Sequence, residues 1–176
     1  MNLTIVGLGN PGEEYVETRH NTGRILADLA AEKIDNKRVK FLVPDTFMNK
    51  TGLAVKKLIT SKKAAANLVV VYDDLDLPLG KLKISFNRGS GGHKGIESII
   101  KSIGTKEFIR VRVGICPVTP TGKLKKISGE EAVIDFILGK FKPAELETIK
   151  KLNKTIVEII STIVEEGKEV AMNRFN

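Results

Sequence analysis

Short apolar runs rich in β-branched residues alternate along this chain with segments of helical periodicity. The runs have the length and composition of buried strands, and they lie at residues 3–6, 68–74 and 108–116. Apolar residues at helical spacing fill the intervals and the C-terminal part, at residues 22–34, 96–103 and 143–166. This alternation predicts an α/β fold, a single domain over residues 1–176 whose twisted, mixed but mostly parallel sheet is covered by helices on both faces.

Two further segments favour strands, and the polar motifs follow the strand ends. Residues 81–86 alternate apolar and polar side chains, which predicts a half-exposed strand, and residues 41–44 could form one more. GLGNPG follows the first strand, and DDLDLP follows LVVVY. Because ligands bind at the carboxyl ends of strands in such sheets, we expect the functional site at this edge.

The composition excludes several classes of protein. The chain has 176 residues, no run of about 18 apolar residues and no signal-peptide pattern at MNLTIVGLGN. We therefore expect a cytoplasmic protein that does not associate with membranes. Cys116 is the single cysteine and His20 and His93 are the only histidines, which excludes a disulfide framework and a closed Cys/His zinc site. We expect neither a metal nor a cofactor.

The charge distribution suggests a polyanionic partner. The formal net charge is +8, and residues 81–112 contain eight lysines and arginines against two glutamates. A basic surplus concentrated in one part of the chain is typical of a surface that follows phosphates. The alternative is a lysine-rich surface that is merely solvated.

Two glycine-rich segments differ in what they predict. GLGNPG matches the dinucleotide fingerprint formally, but Pro11 and Gly12 predict a turn, and Glu13 and Glu14 would place two carboxylates beside the anion. RGSGGHKG, in contrast, precedes a predicted helix and brings basic side chains to converging backbone amides. The second segment therefore predicts a site for phosphate or a polar backbone, unless its glycines serve close packing alone.

The histidine at position 20 is the main candidate for proton transfer near neutral pH. Asp73, Asp74 and Asp76 lie at the end of a predicted strand, where three carboxylates could hold Mg²⁺. A strand-end aspartate can also orient a histidine base by accepting its Nδ1 proton. We favour this second role for Asp73, because no other ligand cluster accompanies the aspartates.

Two asparagines and a methionine complete the candidate set. Asn10 lies in NPG, and Met48 and Asn49 lie in TFMN, all close to predicted strand ends. Taken singly, asparagine is commonly a turn or cap residue and methionine a core residue. Beside a histidine segment, however, the amides could hold a carbonyl group in a fixed orientation.

Six motifs in order resemble bacterial peptidyl-tRNA hydrolase. They are VGLGNPGEEYVETRHNTG, VPDTFMNKTG, YDDLDLPLG, GSGGHKGIESI, FIRVRVGI and the C-terminal AMNRFN, and the resemblance extends from residue 3 to the C-terminus. It implies a monomeric, cofactor-independent α/β esterase. The reaction that the resemblance implies is cleavage of the ester that joins a nascent peptide to the 3′-terminal ribose of tRNA.

The resemblance also implies roles for individual residues. His20 corresponds to the general base and Asp73 to its partner, while Asn10 and Asn49 complete the catalytic group and contact the substrate. The remaining positions are expected to bind substrate, and they are Tyr15 near the terminal adenosine, Met48 with Asn49 at the peptide, and Gly92, His93 and Lys94 in the glycine-rich segment. Arg112 corresponds to a basic residue that meets tRNA phosphate, and we expect Lys83 and Arg88 to assist it.

Two departures from the family pattern affect these expectations. The chain has GGHKG where the family usually has GGHNG, so Lys94 replaces an asparagine that is thought to hold substrate and water. The connection over residues 33–40 is also short, because the family normally has an extra strand pair there.

The expected mechanism is hydrolysis in one step. His20 deprotonates a water molecule, Asp73 holds the tautomer of His20, and Asn10 and Asn49 position the ester carbonyl. The alternative is a non-hydrolytic RNA-binding protein on the same fold, like the organellar splicing relatives of this family. Lys94 favours that alternative slightly, and the intact set of His20, Asp73 and the two asparagines favours the enzyme.

Overall fold

A computed structural model describes residues 2–176 of the protein. One five-stranded sheet forms its centre, in the order β2-β1-β3-β5-β4. The strands are β1 Leu3–Gly7, β2 Val39–Leu42, β3 Leu68–Pro78, β4 Leu82–Phe86 and β5 Ile109–Cys116. Only β4, at one edge, runs antiparallel to its neighbour, and the other three pairings are parallel. The predicted mixed but mostly parallel sheet is confirmed.

Eight α-helices surround the sheet within the described residues 2–176. They are α1 Thr22–Ala31, α2 Thr51–Lys56, α3 Lys62–Ala65, α4 Lys94–Ile103, α5 Glu130–Leu138, α6 Pro143–Lys151, α7 Asn153–Glu166 and α8 Lys168–Phe175. Short 3₁₀ helices cover Glu13–Tyr15, Arg19–Asn21 and Met48–Lys50. Among residues 2–176, no helix is both long and apolar enough to cross a membrane.

Two hydrophobic cores lie on opposite faces of the sheet, as the prediction of helices on both faces requires. One face packs against α1, α6 and α7, with Leu26, Ile149 and Ile160 fully buried. The other face packs against α2 and α4, through Val55 and Ile99. Alternation along the strands sends successive side chains to opposite cores, which explains why both sets are apolar.

The C-terminal stripe at residues 143–166 forms two helices rather than the single predicted one. Leu152 separates α6 from α7, and its amide donates to the carbonyl of Ile149 at 3.0 Å, a bond of 3₁₀ type. No glycine or proline marks this position, so the apolar periodicity alone could not reveal the break. The segment at residues 118–131, which carries no periodicity, ends in the first turn of α5.

A close helix-to-sheet approach places the candidate histidine at the sheet edge. A Cβ atom at Gly23, in the first turn of α1, would lie 2.0 Å from the carbonyl oxygen of Val71 in β3. Only glycine permits this contact, and α1 can therefore begin directly against the sheet. The 3₁₀ helix that carries His20 immediately precedes α1, and so His20 lies beside the end of β3.

Candidate active site

Asp73 lies between two histidines. The Nδ1 atom of His20 is 2.9 Å from Oδ2 of Asp73, and the Nε2 atom of His93 is 3.0 Å from Oδ1. The side chains of His20, Asp73 and His93 are 7%, 3% and 9% exposed. The expected contact between His20 and Asp73 is therefore present, and His93 adds a second contact that the sequence did not indicate.

The hydrogen bonds of His93 fix its tautomer. Its Nδ1 atom accepts from the backbone amides of Gly95 at 3.2 Å and Ile96 at 3.4 Å, so the imidazole caps the N-terminus of α4. A neutral imidazole that accepts at Nδ1 carries its proton on Nε2. His93 therefore donates to Asp73.

The environment of His20 leaves one nitrogen available for chemistry. Because Asp73 is a carboxylate, Nδ1 of His20 donates to it, and neutral His20 has its lone pair on Nε2. No protein group among residues 2–176 forms a hydrogen bond to that Nε2 atom. His20 also lines a cleft at this edge of the sheet, so a proton acceptor faces a space where substrate or water can enter.

Burial and charge act in opposite directions on these pKa values. Burial alone would raise the pKa of Asp73, but the charges and hydrogen bonds of His20 and His93 outweigh it and hold the pKa well below its usual range. Burial alone would lower the pKa of His20, but the charge and hydrogen bond of Asp73 outweigh it, and the pKa is raised. Asp73 is thus ionised wherever His20 titrates.

The two imidazoles and the carboxylate also form a potential metal-binding group. Their ligand atoms lie within 4.8 Å of one another, and no other such group of three occurs among residues 2–176. A metal on Nε2 of His93 would displace the proton to Nδ1, where it would face the amide protons of Gly95 and Ile96. The local geometry therefore suits hydrogen bonds better than metal coordination.

Asn10 is held in one orientation by Met48 and by Asn21, the residue that follows His20. Its Oδ1 accepts from the backbone amide of Met48 at 2.8 Å. The amide of Asn10 donates to Oδ1 of Asn21 at 2.8 Å, and Nδ2 of Asn21 donates back to the carbonyl of Asn10 at 2.9 Å. These contacts engage Oδ1 and the backbone of Asn10 and leave Nδ2 as the remaining donor, and Asn21 is a positioning residue that was not predicted from the sequence. Its place directly after His20 was the available signal.

The residues that were predicted to bind the peptide and the terminal adenosine do not line the cleft beside His20. Met48 is 5% exposed and packs in the core of the α4 side, whereas Asn49 is exposed. Tyr15 is half-buried, and its ring lies at 90° to that of Phe47, with the centroids 6.2 Å apart. Phe47 is 53% exposed, so this pair presents aromatic surface to solvent.

A cleft of about 800 Å³ extends from the two histidines. The predicted residues that line it are His20, Asp73, Arg88, Gly92, His93, Lys94 and Arg112. Two features that the sequence reasoning missed line it as well: the buried Arg110, and aliphatic side chains of α5 such as Ile134. The cleft therefore has a basic wall and an apolar wall.

The basic residues predicted to bind phosphate differ in how free they are. Nε of Arg112 lies 2.6 Å from Oδ2 of Asp74, and this ion pair is largely buried. Lys94 is 67% exposed on its side chain, and its Nζ lies 3.4 Å from Glu97. Lys83 and Arg88 are exposed, Lys83 on the edge strand β4 and outside the cleft lining.

A cleft at the carboxyl edge of a mostly parallel sheet, with a histidine oriented by a buried aspartate, defines this protein as a hydrolytic enzyme with an α/β fold. The sequence model of the family described as peptidyl-tRNA hydrolase matches residues 4–176. The chain belongs to the peptidyl-tRNA hydrolase family.

Individual relatives agree with this assignment over nearly the whole chain. Peptidyl-tRNA hydrolase of Thermodesulfovibrio yellowstonii is 39% identical over 194 positions, covering 99% of this chain and 98% of that protein. The enzyme of Aquifex aeolicus is 39% identical over 191 positions, covering 98% and 95%. The crystal structure of peptidyl-tRNA hydrolase from Acinetobacter baumannii superposes with a TM-score of 0.83 at 28% identity, covering 99% of this chain and 94% of that one.

Proposed function

We propose that this protein hydrolyses the ester bond between a peptide, or an N-blocked amino acid, and the 3′-terminal ribose of tRNA, and so recycles tRNA from prematurely released peptidyl-tRNA. The observation that carries the proposal is the arrangement of His20, whose Nδ1 donates to Asp73 and whose Nε2 is free beside the cleft. Its family membership supports the same substrate. No relative reported above favours a non-hydrolytic RNA-binding protein.

The chemistry follows from the free Nε2 atom. His20 takes a proton from water, the water oxygen attacks the ester carbonyl carbon, and Asp73 stabilises the resulting imidazolium. The bond from the carbonyl carbon to the ribose 3′ oxygen then breaks, and His20 returns its proton to that oxygen. The products are a peptide with a free carboxylate and a tRNA with a free 3′ hydroxyl.

The asparagines would act on the developing negative charge. Nδ2 of Asn10 is a donor of fixed orientation, because Met48 binds the side-chain oxygen of Asn10 and Asn21 binds its backbone. A donor that needs no reorganisation stabilises an oxyanion well. Asn49 is exposed and would orient the substrate from the 3₁₀ helix that it shares with Met48.

The remaining predicted residues divide between the parts of the substrate. Tyr15 would lie against the terminal adenosine, and Met48 with Asn49 would contact the peptide. Gly92 and His93 would border the reacting ester, and the exposed Lys94 would bind a nearby phosphate of the same substrate. Arg112, Arg88 and Lys83 would meet phosphates, with Arg112 exchanging part of its contact with Asp74 for a phosphate oxygen. We further propose a cytoplasmic monomer that acts as one domain over residues 1–176 and needs neither metal nor cofactor.

Release of free tRNA from N-acetyl-aminoacyl-tRNA tests this proposal. His20→Ala should lower the rate by about 10²- to 10⁴-fold, because it removes the general base. Affinity for deacylated tRNA should change little, since a neutral imidazole adds little to ground-state binding. An intact wild-type protein that binds tRNA and releases none would instead favour the RNA-binding alternative.

A further inference from the structure

Arg110 is a fully buried arginine without an acidic partner. The residue is 1% exposed, and the alternation of β5 turns its side chain to the same face of the sheet as Phe108. Among residues 2–176, no carboxylate forms an ion pair with it. A buried guanidinium is costly unless its protons find acceptors, so the identity of those acceptors indicates what the residue does.

Two of its partners are backbone carbonyls of one loop, the hydroxyl of Tyr72 interacts with the guanidinium as well, and Nε has no hydrogen-bond partner among the described residues. Nη1 of Arg110 donates to the carbonyl of Gly89 at 2.5 Å, and Nη2 donates to the carbonyl of Arg88. The guanidinium carbon lies 4.5 Å from the ring centroid of Phe108, so the guanidinium packs against the aromatic ring. Arg110 therefore joins the central sheet to the glycine-rich loop that precedes α4.

Ser90 holds this loop in addition to Arg110. Its hydroxyl accepts from the amide of Gly92 at 3.1 Å and donates to Glu97 at 3.4 Å, but the glycines themselves have open space around them. Apart from the glycine itself and its two chain neighbours, no atom of the described residues lies within 4 Å of the position that a Cβ would take at Gly89, Gly91 or Gly92. Gly91 and Gly92 have φ angles of 61° and 82°, and glycine is the residue that adopts such angles most readily. A glycine-rich segment loses much conformational entropy when it is fixed, and the two bonds from Arg110 offset that loss.

The loop ends at His93, the second donor to Asp73. The Nε2 contact of His93 with Asp73 is 3.0 Å, and its Nδ1 caps α4. The ring of Tyr72, a neighbour of Asp73 on β3, lies 4.9 Å from the ring of His93 and bounds it on one side. The position of His93 therefore depends on where the preceding loop is held.

We propose that Arg110 is a positioning residue for the catalytic site, which acts through the glycine-rich loop to keep His93 on Asp73. This inference rests on the proposed function, because it assigns Asp73 to the orientation of His20. Arg110 itself touches neither the reacting atoms nor, in this role, the tRNA. Its effect on catalysis passes through His93.

A double-mutant cycle tests the proposal. Arg110→Met keeps a side chain over Phe108 but removes both hydrogen bonds, and we expect it to lower kcat/KM by about tenfold. In a His93→Ala background, the same substitution should lower kcat/KM less than twofold, because the residue through which it acts is gone. Equal effects in both backgrounds would overturn the proposal.

A matched control separates positioning from general destabilisation. Phe108→Leu removes the ring beneath the guanidinium but leaves the loop bonds, so it should lower the melting temperature and leave kcat/KM within twofold of wild type. Arg110→Lys, which can still donate to one carbonyl, should give a kcat/KM between those of Arg110→Met and wild type. If Arg110→Met fails to fold, Arg110→Lys replaces it in the measurement. A wild-type kcat/KM for Arg110→Lys together with a tenfold loss in Phe108→Leu would contradict the assignment.

A spectroscopic readout is independent of turnover. In the wild type, ¹⁵N chemical shifts of His93 should report a protonated Nε2 and an unprotonated Nδ1, and Arg110→Lys should average these shifts toward a mixture of tautomers. Unchanged His93 shifts would overturn the inference whether or not the protein cleaves peptidyl-tRNA. Absence of cleavage by the wild type, by contrast, would refute the proposed function.

Discussion

The imidazole rings of His20 and His93 lie 4.9 Å apart, centroid to centroid, and share the Asp73 carboxylate: Nδ1 of His20 lies 2.9 Å from Oδ2 and 3.1 Å from Oδ1, and Nε2 of His93 lies 3.0 Å from Oδ1. The negative charge that orients His20 is therefore shared with a second donor. Because Asp73 also accepts a hydrogen bond from His93, it stabilises the imidazolium form of His20 less than an unshared carboxylate would. The pKa of His20 is therefore lower with His93 present than it would be if His20 alone contacted Asp73. The basicity of His20 thus depends on a residue that does not touch its ring nitrogens.

We predict that Asp73→Asn lowers kcat on the order of 10³- to 10⁴-fold by inverting the tautomer of His20. An asparagine side chain has one accepting oxygen, but both histidines donate to position 73. His93 is fixed as a donor by the amides of α4 and keeps the oxygen, so the amide nitrogen replaces Oδ2, the atom nearest to Nδ1 of His20, and favours a His20 that accepts at Nδ1 and carries its proton on Nε2. Asp74→Asn is the matched control, and ¹⁵N shifts of His20 would show the protonated Nε2. A variant with wild-type shifts and low kcat would contradict this explanation.

We predict that kcat/KM falls as the pH decreases through a pKa above 6.5, because only neutral His20 can accept a proton and its pKa is raised from the usual value of 6.5. His93→Ala should move this acid limb to higher pH, since Asp73 then interacts with His20 alone. The measurement is the pH profile of kcat/KM in both proteins. An acid limb at lower pH in the variant would contradict the sharing of the carboxylate.

We predict opposite pH dependences of stability for the two groups. The raised pKa of His20 stabilises the fold at pH values below 6.5, and this contribution is lost as the pH rises through the folded-state pKa. The lowered pKa of Asp73 stabilises the fold above its unfolded value of 3.8, and this contribution is lost as the pH falls toward the folded-state pKa. Urea unfolding of wild type and His20→Gln across pH 5 to 9, about four units around the histidine pKa, measures the first effect. Parallel stability curves would show that His20 makes no such contribution.

We predict that Lys94→Asn weakens the binding of deacylated tRNA and reduces its salt slope by about one, as expected for the loss of one phosphate contact. The side chain of Lys94 is 67% exposed and borders the cleft, so its ammonium group is hydrated and can contact a phosphate of tRNA bound there. Raised kcat/KM with unchanged tRNA affinity would instead place position 94 at the ester. Lys151→Gln, on an exposed part of α6, is the control.

We predict that tRNA affinity falls steeply with salt and that individual arginines contribute unequally. Arg88→Gln should reduce the salt slope by about one, whereas Arg112→Gln should reduce it by less, because Asp74 already neutralises part of the charge of Arg112. Titration of labelled tRNA at several salt concentrations gives the slopes. A flat salt dependence in the wild type would exclude the basic wall of the cleft as the tRNA site.

Much of the fold could be predicted from the sequence because burial imposes local periods. Runs such as 68–74 and the alternation of Ile109, Val111 and Val113 identify strands that are covered by helices, and the structure has both faces packed. The same local logic located the polar motifs at strand ends, and it anticipated the contact of His20 with Asp73. The short helices α2 and α3 and the break at Leu152 escaped it, because each depends on a few hydrogen bonds rather than on a period.

The sequence by itself therefore determined the α/β fold, the family and the residue types at the catalytic edge. Only the tertiary structure decided that His93 donates to Asp73, that Asn21 and Met48 orient Asn10, and that Arg110 holds the glycine-rich loop. The physical reason is that each of these bonds joins segments distant along the chain. Their geometry depends on strand register and on where α4 begins, and no local pattern of apolar and polar residues specifies either.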